Sequence, residues 1–451
     1  MACFAPDEPV PARYAAAIEA MFQEAMLRYN GVTSWTSQGN GTTLSWSFVP
    51  DGVTIPSGVG EPASDSNLFA TLDAQFNGDR ARWIGRFEQS FQRWADLTGM
   101  DYVRITNGAD DWDDGAGWGA TGNANRGDVR IGMKFIGTSV LAYNSFPTNS
   151  DMVLDSADLW NSANEDRLFR NTIMHEHGHG LGFAHICPQA SRSLMEPTLN
   201  TGFDGVQHDD VRGGQRLYGD PNEPDNSTGS ATDLGILSPG APASLGALPI
   251  QTAPGMPQPV FTSSLSIDAN GEVDFFRFEI AAPSIIDFEI HPVGWRYDDS
   301  DQGGSCGSGN QIDSDEIADL AFQVLDSGGQ TLFTSASATL GESEIISDLV
   351  LESAGVYYLR VYETNFPSES QLYSGQILVV DTAECLDAAA CDDADPCTVD
   401  LCDSGRCVYL IDNDCNANGR DDTCEIAQGD ALDCNGNGIP DSCEWRGVDI
   451  A

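Results

Sequence analysis

At 451 residues the chain is long enough for several domains. Its 69 acidic residues face only 21 basic ones, and the formal charge of −48 excludes nucleic acid and anionic membrane as expected partners. No apolar run reaches the ~18 residues that a membrane span requires.

Residues 1–40 read as a leader, with a helix expected over Ala12–Tyr29. No basic segment followed by an apolar stretch is present, so no signal peptide is legible in it. A second unit is expected over residues 41–220. There Leu44, Trp46 and Phe48 alternate as in a half-buried strand. Ile84, Phe87, Phe91, Trp94 and Ala95 follow helical spacing, with Gly99 as a stop. Tyr102–Ile105 and Val129–Met133 read as further strands. Between them, Asp110-Asp111-Trp112-Asp113-Asp114-Gly115 is an acidic loop that fits a structural calcium or plain solvation equally. Asn164 is placed to cap the next helix, whose buried face carries Phe169 and Ile173.

That helix holds His175-Glu176-His177-Gly178-His179, and the chain continues through Gly182 to His185, completing the pattern HExxHxxGxxH. His175 and His179 stand one helical turn apart, so both imidazoles leave the same face and can grip one metal ion. Gly182 can take the positive φ that ends the helix, after which the chain turns back and presents His185 as a third ligand. Three neutral imidazoles leave one position of a tetrahedral zinc open to water, and Glu176 lies where a carboxylate reaches that water. Cys187 fits a metal ligand or, more ordinarily, a buried or disulfide-bonded cysteine.

Further residues make the motif resemble one family. Ser193-Leu194-Met195-Glu196-Pro197 looks like the Met-turn beneath the metal of metzincin proteases. Asp209-Asp210-Val211-Arg212-Gly213-Gly214-Gln215-Arg216-Leu217-Tyr218-Gly219 is similar to the closing helix of the matrixins. Leu141-Ala142-Tyr143-Asn144-Ser145-Phe146-Pro147 resembles their strand on the upper rim of the substrate cleft, and Asp151–Asp155, followed by Asp158-Leu159-Trp160, the strand after it. The resemblance covers roughly residues 40–220. It implies an α+β metzincin fold, with zinc on His175, His179 and His185 and Met195 as its floor. It also implies that Leu141, Ala142 and Tyr143 align a peptide by strand addition. The chain departs from animal matrixins in having only His208 and His291 beyond the motif region, too few for their second, structural zinc. Cys3-Phe4-Ala5-Pro6-Asp7 has the spacing of the matrixin cysteine switch, in which a thiolate caps the zinc. Phe4 stands where the family has Gly, so an ordinary structural or terminal cysteine is the competing reading.

Pro221–Ser227 has linker composition, and a linker is expected over residues 221–240. Beyond it, over 241–382, the pattern turns to period two. Phe276–Ile280, Ile285–Ile290, Leu320–Leu325, Val356–Val361 and Gln376–Val380 read as strands of an antiparallel β-sandwich. Val273-Asp274-Phe275-Phe276-Arg277-Phe278 and Gly355–Val361 resemble the prepeptidase C-terminal domain of secreted bacterial peptidases, which implies a folding or substrate-adhesion module.

The tail, 383–451, holds nine of the 12 cysteines, a density that points to an oxidising compartment and hence to secretion. An odd number leaves one free or bonded elsewhere. Two segments repeat in register, Asp414–Glu425 and Asp433–Glu444, and both fit the calcium-loop pattern D-x-N-x-N-G-x-x-D-x-x-E. The pattern assigns one calcium to Asp414, Asn416, Asn418, Asp421 and Glu425 with the Arg420 carbonyl. It assigns a second to Asp433, Asn435, Asn437, Asp441 and Glu444 with the Ile439 carbonyl. The loops resemble those of dockerin and thrombospondin type 3 repeats. Bridges within each loop, Cys415 to Cys424 and Cys434 to Cys443, are one open possibility.

The expectation is therefore a multidomain, monomeric, secreted bacterial zinc endopeptidase with one catalytic Zn2+ and structural Ca2+. It hydrolyses protein or peptide substrates with zinc-activated water and Glu176 as general base. The alternative is a catalytically retired adhesion protein whose working parts are the sandwich and the calcium-loop tail.

Overall fold

The computed structural model describes residues 2–4, 31, 33–137, 139–187, 193–246, 265–269, 271–298, 311–336, 339–365, 369–395 and 397–444. The helix expected over Ala12–Tyr29 lies outside them, as do Pro6 and Asp7. In chain order the first elements are β1 (Ala2–Phe4), β2 (Thr42–Phe48), β3 (Thr54–Ile55), β4 (Ser64–Asp65), α1 (Leu68–Gln75) and α2 (Arg80–Ala95). They are followed by β5 (Met100–Arg104), β6 (Val129–Lys134), β7 (Val140–Asn144), β8 (Met152–Asp155), α3 (Ala163–Leu181) and α4 (His208–Tyr218).

Six strands form one sheet in the order β1-β7-β8-β6-β2-β5. The pairs β2–β5, β2–β6 and β6–β8 are parallel, while β7 runs antiparallel to both β8 and β1. The centre of the sheet is covered on both faces, as parallel strands require, and β6 and β8, with the antiparallel β7 beside them, bury every residue. On one face α2 lays down Trp83, Phe87, Phe91 and Trp94, all buried. Phe87 meets Phe48 of β2 at 4.9 Å between ring centroids and Phe169 of α3 at 5.2 Å. The sheet and the two helices thus share one aromatic core. On the other face Lys134, the single lysine, is buried against Glu61 at 2.7 Å and donates to the carbonyls of Ile55, Pro56 and Pro62. Tyr143 of β7 donates its hydroxyl to the same Glu61 at 2.9 Å. A buried ammonium therefore backs the rim strand.

One local expectation is corrected and one open choice gains detail. Asn164 does not cap α3: the N-cap is Ser162, and Asn164, Glu165 and Asp166 take left-handed backbone with φ of 56°, 56° and 60°. The physical cause is Asp166, fully buried and paired with Arg82 at 2.7 Å and Arg86 at 3.0 Å. The acidic loop at 110–115 spends its carboxylates on arginines. Asp111 pairs with Arg80 and Arg104, each at 3.2 Å, Asp114 with Arg126 at 2.6 Å, and Asp113 with Arg130 at 2.8 Å.

The next strands are β9 (Thr232–Leu237), β10 (Pro242–Ser244), β11 (Leu265–Ile267), β12 (Val273–Ile280), β13 (Ser284–Val293), β14 (Arg296–Asp298) and β15 (Gln311–Asp313). Then come β16 (Leu320–Asp326), β17 (Thr331–Ser335), β18 (Glu344–Leu351), β19 (Gly355–Glu363) and β20 (Gln371–Thr382). One sheet runs β10-β20-β13-β18 with β11 also on β20; the other runs β17-β16-β19-β12-β9. Phe276, Phe278, Phe288, Phe322, Leu359 and Tyr373, drawn from both sheets, fill the space between them. The expected linker contains β9, which pairs with β12 in parallel, so the sandwich is not wholly antiparallel. Its short, half-exposed stretch lacks the alternation that marks the central strands. The sandwich docks on the first unit: Arg212 of α4 donates to the Ser370 carbonyl at 2.9 Å, and Val293, Ile312 and Leu372 join the first core.

In the tail a hairpin of β21 (Val399–Asp403) and β22 (Arg406–Leu410) precedes α5 (Asp422–Gln428) and α6 (Asp441–Glu444). Disulfides join Cys385–Cys402, Cys391–Cys407, Cys397–Cys424 and Cys415–Cys443, so none closes within a single loop. Cys434 is the free, exposed tail cysteine.

Asp113→Ala should destabilise the first unit by about 3–5 kcal/mol, because it leaves the fully buried Arg130 guanidinium without its carboxylate. The urea midpoint measures this, and a change below ~1 kcal/mol would contradict it.

Candidate metal centre and active site

The zinc-binding pattern is held by the end of α3. Gly182 closes the helix in the left-handed region, φ 111°, as its position in the motif predicts. A side chain there would collide with the Thr33 carbonyl, so only glycine lets the N-terminal segment pass. The chain turns back, and His185 faces His175 and His179. The Nε2 atoms of His175 and His179 each lie 3.2 Å from Nε2 of His185. All three residues are buried.

Their tautomers follow from their other contacts. Nδ1 of His175 donates to the Leu194 carbonyl at 2.6 Å, and Nδ1 of His179 to the Phe183 carbonyl at 2.6 Å. Both Nε2 atoms are therefore bare lone pairs directed at the same point. Burial disfavours a proton there: it pushes His175 down to about 4 and His179 well below its ordinary value. Converging lone pairs in a dry site repel one another unless a cation lies between them. The donor set fits zinc, with its nitrogen ligands and its polarised, carbonyl-anchored imidazoles.

His177 belongs to the opposite face of α3, where Nε2 is hydrogen-bonded to the Tyr102 hydroxyl at 2.7 Å. It is not part of the cluster. Glu176 is fully buried; its Oε1 accepts the Cys3 amide at 3.1 Å, and its Oε2 has no partner among the described residues. Burial pushes this carboxyl up to about 7. Asn144 fixes the helix here by donating to the Glu176 carbonyl at 2.7 Å.

The Met-turn passes beneath. Met195 is buried, and Ile186 donates to its carbonyl at 3.2 Å. Asp210 holds the turn in place, a role that sequence reasoning missed. Its carboxylate accepts from Leu194 N at 2.8 Å, Met195 N at 3.1 Å and Gln207 N at 2.9 Å. The signal was available: an acidic pair in the first turn of the closing helix. Since Leu194 also anchors His175, Asp210 supports a metal-binding imidazole through one peptide.

Cys3 is brought to this site. It is buried, and its sulfur lies within 4.8 Å of donor atoms of both His175 and Glu176. β1 pairs antiparallel with β7, Ala2 opposite Tyr143 and Cys3 opposite Ala142. The rim residues Ala142 and Tyr143 are therefore already paired with a strand of the same chain, and the register slips at Leu141. Cys187 is disulfide-bonded and is not a fourth ligand.

The tail loops curl in the same way. Asp414 accepts from the amides of Asn418 and Gly419, and Asp433 from those of Asn437 and Gly438. Glu425 takes the amides of Asn416 and Asn418, and Glu444 those of Asn435 and Asn437. Asp421 stands apart: its oxygens accept from Thr423 N and Cys424 N at the start of α5 and from Asn413 N. Asp441 likewise accepts from Cys434 N at 3.0 Å.

Comparison with known proteins agrees with this arrangement. Residues 71–219 match the matrixin family profile. The chain is 30% identical over 152 residues to matrix metalloproteinase-18 of Xenopus laevis, covering 32% of this chain and 30% of that protein. It is 30% identical over 160 residues to macrophage metalloelastase of Oryctolagus cuniculus, covering 32% of each. It is also 30% identical over 169 residues to metalloendoproteinase 2-MMP of Arabidopsis thaliana, covering 34% of this chain and 43% of that protein. The chain thus spans well under half the length of the curated relatives it matches. Among solved structures, the pre-peptidase C-terminal domain of a collagenase from Bacillus anthracis aligns at 13% identity with a TM-score of 0.18. That alignment covers 33% of this chain and 93% of that one. Among the described residues, no helix is long and apolar enough to cross a membrane.

Gly178→Ala should lower the thermal midpoint of the metal-loaded protein, although alanine elsewhere in a helix gains about 1 kcal/mol over glycine. The added Cβ would collide with the Met195 sulfur. An unchanged or raised midpoint would show that Met195 is not packed against the helix in this way.

Proposed function

We propose that the chain is a secreted zinc endopeptidase in which His175, His179 and His185 hold one catalytic zinc and Glu176 is the general base. The observation that supports it most is the convergence of imidazole lone pairs whose Nδ1 protons are tied to carbonyls, beside a buried carboxylate with one free oxygen. Zinc bound there would lower the pKa of a coordinated water and polarise a substrate carbonyl. Glu176 Oε2 takes the proton of the attacking water and hands it to the leaving amine. Met195 packs below the imidazoles and moves no proton. Leu141, Ala142 and Tyr143 align the peptide by offering the backbone of β7 as a sheet edge.

The division proposed is a leader at 1–40, a matrixin-like peptidase unit at 41–220, a linker at 221–240, a sandwich at 241–382 and a tail at 383–451. A bacterial source, a monomeric chain and a dockerin-like tail belong to the same reading. So does structural calcium in the two tail loops, where Asp414, Asn416, Asn418 and Glu425, and Asp433, Asn435, Asn437 and Glu444, already face inward. Asp421 and Asp441 then contribute at one remove, through water.

Three measurements check this. Glu176→Ala should keep about one zinc per chain while casein cleavage falls ~10²–10⁴-fold, and His185→Ala should lose the metal as well. Near-normal turnover by the first variant, or two tightly held zincs in the parent, would contradict the assignment. The retired-adhesion alternative predicts no chelator-sensitive cleavage at all.

Cys3 and β1 occupy the place that a substrate needs, so the intact chain should be latent. Cys3→Ala should raise its initial rate of peptide cleavage, as should removal of residues 1–30. Equal rates for all three forms would exclude a blocking role.

Calcium removal should leave the tail protease-sensitive with zinc retained, since so polar a segment depends on metal and disulfides for its folding. No calcium-dependent protection of residues 411–444 would refute the loop assignment.

A further inference from the structure

We infer that Asn144 is a positioning residue of the peptidase reaction: it ties the strand that aligns the substrate to the residue that activates the water. The inference rests on the reading of Glu176 as general base and deepens it. Asn144 is the last residue of β7 and is buried. Its Nδ2 donates to the Glu176 carbonyl at 2.7 Å, across 32 residues of sequence. That carbonyl lies inside α3, where it also serves the helix ladder. A carbonyl oxygen has two lone pairs, so the asparagine adds a bond without taking one from the helix.

A second side chain repeats the contact one turn along. Ser150, buried just before β8, donates to the Gly180 carbonyl at 2.6 Å, where Trp35 Nε1 also donates at 2.9 Å. Glu176 and Gly180 are one helical turn apart, so their carbonyls line up along one face of α3. Asn144 and Ser150 stand at the two ends of the turn from β7 to β8. Ser145 N closes that turn on the Asp151 carbonyl, and the amides of Asn149 and Ser150 close it on the Phe146 carbonyl, each at 3.2 Å. The rim is thus clipped to the helix at two points. Gly180 makes the close approach possible: a Cβ there would stand 3.1 Å from Asn144 Nδ2 and 3.3 Å from Ser150 Cβ.

What the clip controls is visible in β1. Lying on the edge of β7 with Cys3 opposite Ala142, β1 brings the Cys3 amide to 3.1 Å from Glu176 Oε1. A backbone aligned on this edge therefore comes within hydrogen-bonding distance of the carboxylate. A peptide substrate on the same edge meets the same carboxylate, in a register that β7 sets. The offset between β7 and the Glu176 backbone then decides which peptide bond faces the carboxylate. A misplacement on the order of 1 Å at a reacting group costs about 10²-fold in rate. Binding itself uses the edge amides and carbonyls of β7, which the Asn144 side chain leaves in place.

The test uses the full zinc-loaded chain in a Cys3→Ala background, so that latency does not mask the rates. Asn144→Leu keeps the side-chain volume and loses the donor. It should lower kcat for a quenched fluorescent peptide by about 10–100-fold while KM stays within about twofold. Zinc content, and the affinity of the zinc-free chain for the same peptide, should not change. Asn144→Gln, which keeps an amide donor, should recover part of the loss. If the leucine variant does not fold, Ser150→Ala tests the other point of the clip. It should lower kcat in the same way, by less because Trp35 still holds the Gly180 carbonyl. Parent-like kcat in the variant that folds, or a loss confined to KM, would overturn the positioning role and leave a packing contact. No cleavage by the background chain itself would sink the peptidase reading, and this inference with it.

Discussion

Two backbone carbonyls govern the chemistry of this molecule. The oxygens of Leu194 and Phe183 hold the Nδ1 protons of His175 and His179, and so turn two buried imidazoles into lone-pair donors aimed at His185. Most of the surrounding structure can be traced to keeping those oxygens in place. Leu194 is on the Met-turn, which Asp210 pins through three amides. Phe183 follows Gly182, whose left-handed backbone lets Thr33 pass, and its ring stacks on Trp94 at 5.9 Å. A change at any of these positions acts on the three imidazoles without touching them.

The rim strand β7 is governed in the same indirect way. Its outer edge carries β1 and Cys3, and its rear is backed by Tyr143, Glu61 and Lys134. A lysine ammonium surrounded by three carbonyls and a carboxylate lies behind this rim. A desolvated ammonium is tolerable only with that full complement of acceptors.

The excess negative charge is distributed unevenly. In the first unit two buried acids are matched by arginines and a third by lysine: Asp113 with Arg130, Asp166 with Arg82 and Arg86, and Glu61 with Lys134. At the junction and in the tail they are not, and carboxylates face each other or backbone amides. Arginine pairing makes the first unit's electrostatics internal, whereas the junction and tail depend on what the solution supplies.

The motif residues and the outline of the fold were legible in the sequence because they obey short-range rules. The helical spacing of His175 and His179, the glycine at 182, the alternation of Leu44, Trp46 and Phe48, and the period-two runs of the sandwich are each set within a few residues. Tertiary structure decided whatever depends on partners far along the chain. Asp166 meets Arg82 across 84 residues, and this defeats the Asn164 cap. The Cys3 amide meets Glu176 across 173 residues, a contact that no local spacing foretells. Cys415–Cys443 joins the two tail loops and Cys397–Cys424 ties one of them to an upstream cysteine, because two cysteines in one loop say nothing about which other thiols approach them. The acidic loop at 110–115 fits calcium or solvation equally until its arginines arrive from distant elements, and the plain linker composition at 223–225 hides carboxylates that gather only when β12 packs beside them. Local periodicity is encoded residue by residue; charge compensation is a property of the packed chain.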